Sequence, residues 1–187
     1  MSLIQDYSFE SSINSGCTAF TLTNQGPLVW AEYFDNIVEI NLNVTKGCDC
    51  DDDAIATFEL HPTLDSNLSI TSIGTIVIDA LDLDLGLAGD VMSDGIYEFE
   101  IIVTHLLDGG TQADYTYKVC SAALCSTKCC ISKSLNTGCY PENKENILMN
   151  TVQGIEYSCS CGYCETACNL YDLLSETLDS NCEDCGC

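Results

Sequence analysis

Arginine is absent from this sequence, and five lysines stand against 29 acidic residues, leaving a net charge of -24. So little positive charge rules against nucleic acid and anionic lipid as partners, because phosphate contacts are made largely by Lys and Arg and a field of this sign repels polyanions. It also removes the bidentate clamp with which arginine holds a carboxylate or phosphate substrate. The expected partner is a protein with a basic or apolar face, or a cation. Histidine is nearly as scarce. His61 precedes Pro62 at a strand exit and His105 closes a strand ahead of a Gly-rich turn, and neither sits in a nucleophile elbow, a zinc-hydrolase helix or a phosphate loop. Both read as surface or strand-end residues, and no enzyme is expected.

Long apolar runs are missing too. None reaches the roughly 18 residues of a membrane span, since Asp, Asn or Gly interrupts the longest. Met1 to Ser15 lacks a basic stretch followed by an apolar one, so no secretory signal is expected and the cysteines are expected to stay in a reducing cytosol. On that expectation the Asn43-Val44-Thr45 and Asn67-Leu68-Ser69 triplets are strand residues and not glycosylation sites.

What the chain does have is apolar residues and cysteine. With 187 residues, 46% of them hydrophobic, it can bury a working core. Its 15 cysteines are an odd number, which cannot pair completely within one chain and tilts the reading towards metal thiolates or free buried thiols. Twelve of them lie from Cys120 onward. That shift in composition marks the one module boundary, giving residues 1–120 as a β domain and 121–187 as a Cys-rich helical module.

Before the boundary, period-two alternation and β-branched residues predict strands over 18–23, 37–44, 54–60, 72–80, 95–104 and 113–119. Val38, Ile40, Leu42 and Val44 share one face, as do Tyr97, Phe99, Ile101 and Val103, and Tyr115, Tyr117 and Val119. Asp94-Gly95 and Asp108-Gly109-Gly110 supply turns. The resulting fold class is mainly β with a small α part: an Ig-like β-sandwich followed by a Cys-rich helical hairpin, with a small barrel as the alternative architecture. The hairpin helices are expected over 122–135 and 161–178, the second with Cys164, Cys168, Tyr171, Leu174 and Leu178 on one face, and 145–152 reads as a further short helix.

The most specific local signal is Cys161-Gly-Tyr-Cys164 followed by Cys182-Glu-Asp-Cys185, the two-pair spacing of a four-thiolate zinc site. Zinc takes four soft tetrahedral ligands, and Cys161, Cys164, Cys182 and Cys185 would supply them; Cys159, Cys168 and Cys187 flank the set. The competing account makes the helix-face cysteines small buried hydrophobes. Cys120, Cys125, Cys129, Cys130 and Cys139 match no standard site and read as core thiols, with Cys125 and Cys129 one helical turn apart. The acidic Cys48-Asp-Cys-Asp-Asp-Asp53 loop and the Asp79, Asp82, Asp84, Asp90, Asp94 stretch read as solvated, because Asp82-x-Asp84-x-Gly86 fails the calcium-loop pattern.

The opening Tyr7-Ser-Phe-Glu-Ser-Ser-Ile, the strand Cys17-Thr-Ala-Phe-Thr-Leu-Thr, the late Asp94-Gly-Ile-Tyr-Glu-Phe-Glu-Ile and the Cys129-Cys130-Ile-Ser-Lys-Ser-Leu and Cys161-Gly-Tyr-Cys164 tail together resemble small virion proteins of crAss-like tailed phages of gut Bacteroidetes. This chain departs from them in its crowded Cys182-Glu-Asp-Cys185-Gly-Cys187 terminus. The resemblance implies a phage structural subunit, a head-to-tail ring or tail-assembly component. It would be made in a reducing bacterial cytoplasm, resident in the virion, and homo-oligomeric with contacts to other virion proteins. Two other readings compete with it. A zinc-stapled adaptor would be a monomer retaining zinc, and a thiol-redox enzyme would need a depressed thiol pKa at Cys161 or Cys164.

Overall fold

The computed structural model describes residues 9–24, 37–47, 54–60, 69–70, 75–79, 83, 91–107, 109–137, 142–160 and 162–178. Among these, the strands are β1 (Phe9–Ile13), β2 (Ala19–Asn24), β3 (Ile37–Lys46), β4 (Ala56–Leu60), β5 (Ser69–Ile70), β6 (Thr75–Asp79), β7 (Gly95–Leu106) and β8 (Gln112–Ala123). Three helices follow, α1 (Cys125–Thr137), α2 (Glu142–Ser160) and α3 (Cys164–Leu178). The strands form two antiparallel sheets, ordered β1-β2-β6-β5 and β4-β3-β7-β8. The chain is therefore mainly β with a small helical part.

Alternation along the strands builds the first core. Ile40, Leu42 and Val44 of β3 lie opposite Val103, Ile101 and Phe99 of β7, and Phe20 and Leu22 of β2 lie opposite Ile78 and Ile76 of β6. All ten side chains are fully buried. They belong to one cluster that draws on both sheets. Phe20 crosses between the sheets to meet the rings of Tyr97 and Phe99 at 4.9 and 5.1 Å, and Phe9 meets Tyr117 at 5.3 Å. Each buried apolar side chain of this size contributes about 1.5–3 kcal/mol.

The six predicted strands are all present, and two further ones went unread. β5 has only two residues in the ladder. β1, Phe-Glu-Ser-Ser-Ile, turns Ser11 inward between Phe9 and Ile13, where its hydroxyl donates to the Cys120 carbonyl, so the apolar alternation of its buried face is interrupted. The β1–β2 turn is tied by Asn14, whose side-chain oxygen accepts from the Thr18 and Ala19 amides while its carbonyl accepts from the Cys17 amide. Cys17 ends the turn in the left-handed region, at φ 53°.

The helical part differs from the expected hairpin. Ala122 and Ala123, predicted helical, extend β8 by pairing with Ile96 and Gly95. The short helix expected over 145–152 is α2, 19 residues long. Its stripe of Leu148, Val152, Ile155 and Cys159 recurs at threes and fours and is buried throughout. Gly154 lies inside it, facing Leu170 of α3, where a Cβ would stand in ordinary contact at 3.5 Å. The stripe covers Ile96, Cys120, Ala122 and Leu124, and Ile131 of α1 with Ala167, Cys168 and Leu174 of α3 completes this second core. These β7 and β8 residues alternate with the inward-facing ones, so the helices sit on the outer face of the β4-β3-β7-β8 sheet, at one end.

One turn joins the two cores. The Tyr97 hydroxyl donates to the Ser93 carbonyl at 2.9 Å, four residues upstream, and lies 3.0 Å from the Ser93 hydroxyl. Between them, the Asp94 carboxylate accepts from the Ser126 and Thr127 amides at 3.2 and 2.7 Å. Leu124, the residue before α1, has no oxygen with which to cap the helix. A carboxylate from a distant loop takes that role, and its charge suits the positive end of the helix dipole.

His105 was expected at the surface or at a strand end; it stands one residue from the end of β7, but buried, edge-on to Tyr115 at 5.7 Å. Its position opposite Ala113 and Ile37 at the sheet end explains the difference. His61 lies outside the described residues.

Two predictions follow from this packing. Replacing Tyr97 by Phe removes the donor to the Ser93 carbonyl and is expected to cost about 1–2 kcal/mol, read as a lower denaturant midpoint with an unchanged slope. Burial lowers the His105 pKa below its ordinary 6.5. Both states are neutral above that pH; below it the unfolded chain binds a proton that the buried ring refuses. Stability should therefore fall as pH drops through 6.5 and level off once the folded ring is also charged. In His105→Phe that component should vanish from the pH profile of the midpoint; an unaltered profile would show that the ring contributes nothing to it.

Candidate functional site

Three elements deliver cysteines to one place beneath the helices. Alternation in β8 puts Cys120 on the outer face of the sheet, opposite Glu98. The buried stripe of α2 ends with Cys159, and α3 opens with Cys164. The connection between those helices is a Schellman turn: the Gly162 amide donates to the Cys159 carbonyl and the Tyr163 amide to that of Ser158. Gly162 takes φ 81°, the left-handed conformation this turn requires. The turn reverses the chain tightly enough to bring Cys164 back over Cys120.

The thiols are linked in series. Cys120 donates to Cys159 with the two sulfurs 3.0 Å apart, and Cys164 lies on the other side of the series, where it interacts with Cys120. Contact with the Cys159 thiol, then burial and the nearby Glu98 charge, push the Cys120 thiol well up, while the interaction with Cys164 acts in the opposite sense. Cys164 is also pushed up, first by its contact with Cys120 and then by burial. At neutral pH both are thiols and not thiolates. The redox-enzyme reading asked for the reverse at Cys164, and its other candidate, Cys161, lies outside the described residues.

Of the four predicted zinc ligands only Cys164 is described; Cys161, Cys182 and Cys185 lie outside. Among the described residues no group of three or more His, Cys, Asp or Glu side chains is arranged to hold a metal. The acidic 48–53 loop also lies outside them, as do Asp82, Asp84 and Asp90, whereas Asp94 is the cap of α1.

Four further described cysteines correct the expectation of metal-bound or free thiols in a reducing cytosol. Cys17 and Cys125 form a disulfide with Cα atoms 6.2 Å apart, and Cys130 and Cys168 each also take part in a disulfide. The left-handed turn at Cys17 and the start of α1 at Cys125 bring two residues 108 positions apart within normal bridging distance. Cys125 therefore shares no free-thiol face with Cys129, which is exposed on α1. Sequence spacing could have suggested Cys159, two residues before the Cys161 pair. It could not have suggested Cys120, whose place depends on which face of β8 the helices cover.

Beside the cluster is a cleft of about 400 Å³ between the β1–β2 turn and the helices, lined by the Cys17–Cys125 disulfide, Lys128, Glu156 and Cys159. Lys128 and Glu156 form an ion pair joining α1 to α2. Away from the helices the outer face of the β4-β3-β7-β8 sheet is polar. Thr57 donates to the Asn43 side chain, which donates to Glu100, and Asn41 donates to Glu39.

No protein-family model matches this chain, and no curated protein matches it in sequence. No helix among the described residues is long and apolar enough to cross a membrane.

The thiol environments separate on treatment of the native protein with iodoacetamide. Cys129 is expected to react promptly, Cys159 more slowly through the cleft that it lines, and Cys120 about a hundredfold more slowly than Cys129, at a rate set by local opening. Peptide mapping after timed quenching reads this directly; equal rates would mean that the helices do not cover the cluster.

Proposed function

We infer that the chain is a structural protein that works through protein–protein contacts, an Ig-like β-sandwich over residues 1–120 carrying a Cys-rich helical module over 121–187. Its most specific form is a subunit of a phage virion, at a head-to-tail ring or in tail assembly, in contact with copies of itself and with other virion proteins. Strand order supports the Ig-like part. Lettered in chain order with β4 as C′, the sheets read A-B-E-D and C′-C-F-G, and a tyrosine at the start of strand F bonds back to the backbone four residues upstream, as in the tyrosine corner of such domains. The B–F disulfide of antibody domains is replaced here by Cys17–Cys125, which ties the start of strand B to the first helix.

A fold of this type serves many roles, so the functional reading rests on its surface. The observation that carries it is the outer face of the C′-C-F-G sheet: broad, with its Asn, Thr and Glu side chains already hydrogen-bonded to one another, and open beyond the helices. Exposed Ile147, Tyr157, Tyr163 and Leu173 on the helical part add apolar contact points beside it. The disulfides fit a protein made in the bacterial cytoplasm and oxidised after the particle leaves the cell.

Native mass spectrometry of anaerobically purified protein tests the assembly reading. A ring subunit should appear as a multimer burying well over about 1,000 Å² per contact. Given the acidic surface, association with a basic partner should weaken with salt. A monomer that holds one zinc would instead favour the zinc-stapled adaptor through Cys161, Cys164, Cys182 and Cys185, and a metal-free monomer with salt-independent partner binding would count against both.

A further inference from the structure

The thiol series has a direction. Cys120 is fully enclosed, whereas Cys159 also forms part of the wall of the cleft. Their sulfurs, 3.0 Å apart, stand roughly 1 Å beyond the length of a disulfide bond, about 2.05 Å. The cleft is also lined by Lys128 and Glu156, which pair with each other, and by Ser12, Ser15 and Ser160. An ion pair at a cleft wall can exchange its partners for the ammonium and carboxylate groups of a small zwitterion, and the hydroxyls add neutral hydrogen-bonding groups. We propose that Cys159 and Cys120 are a thiol–disulfide exchange site for a low-molecular-weight disulfide of the amino-acid or peptide class, whose oxidised product is a Cys120–Cys159 bond fastening the end of α2 to β8.

The chemistry closes with the residues present. Cys159, deprotonated, attacks one sulfur of the incoming disulfide; that S–S bond breaks, and the departing thiolate takes up the proton Cys159 lost. Cys120 then attacks the Cys159 sulfur of the mixed disulfide and expels the second small thiolate, which takes the Cys120 proton. Two protein thiols are oxidised by two electrons and one small disulfide is reduced to two thiols. In the resting state the contact with the Cys159 thiol holds Cys120 protonated. Once Cys159 is in the mixed disulfide that contact is lost, while the interaction with Cys164, which acts to lower the Cys120 pKa, remains. Cys164 is a positioning residue for the second step. None of this depends on the assembly reading.

The test uses the full chain and glutathione disulfide, with acid quenching, alkylation and peptide mapping. In the wild type we expect a Cys120–Cys159 linked peptide, reversed by reduced glutathione, with little glutathione retained on Cys159. Cys120→Ser should stop at a glutathione adduct on Cys159. Cys164→Ser should slow closure of the bond roughly tenfold, making the Cys159 adduct transiently visible. Exposed Cys129 reports that the reagent is active. Absence of the Cys120–Cys159 link in the wild type while Cys129 is fully modified would overturn the proposal, whether or not the variants fold. An adduct on Cys164 and not Cys159 in Cys120→Ser would overturn the entry through the cleft.

Discussion

β7 and β8 pair along their whole lengths, twelve residues each, with Gly95 opposite Ala123 and Leu106 opposite Gln112. Both faces of this ribbon are committed. Tyr97, Phe99, Ile101 and Val103 point into the inter-sheet core, while Ile96, Cys120 and Ala122 point the other way, under the helices. A strand with two buried faces has no tolerance for a slipped register, since a shift of one residue would carry Glu98 and Glu100 into the first core and Tyr97 out of it. The two cores, the covering by α2 and α3, and the thiol series all depend on this one alignment.

The ends of the ribbon are secured by chemistry outside the ladder. Asp94 lies at the entry to β7 and caps α1, so the turn that starts the strand also starts the helix that follows β8. Tyr97 holds that turn against its own backbone. At the same end of α1, the Cys17–Cys125 bond fixes the helix to the first hairpin. Short polar devices at one corner thus position helices whose own apolar faces are too small to fold alone; a helix of 13 to 19 residues gains most of its stability from the surface that it covers.

The first core was legible because period-two alternation of large apolar residues has one physical cause, and Ile40, Leu42, Val44 and the Tyr97 to Val103 series show it plainly. β1 hid behind an inward serine, and α2 was underread because Gly154, a poor helix former, interrupts the apparent run although it sits inside the helix. The site was much less legible. Spacing drew attention to Cys161 and Cys164, but the partners of Cys164 come from β8 and α2, and no local pattern marks which face of a strand a later helix will cover. Pairing of Cys17 with Cys125 is likewise a fact of topology, invisible until the first turn and the last strand end are placed together.

The Cys17–Cys125 bond changes how the molecule carries a load. Everything from β2 to β8 lies inside a covalently closed loop, so tension applied between segments on either side passes from β1 through the sulfur bridge into α1. The sheets themselves are bypassed. Under pulling, only β1 and the helices are exposed to force, while the main core is shielded as long as the bridge is intact and becomes extensible once it is reduced. Redox state therefore sets the length to which this chain can be drawn out, a property that matters wherever a folded domain is held between two attachments.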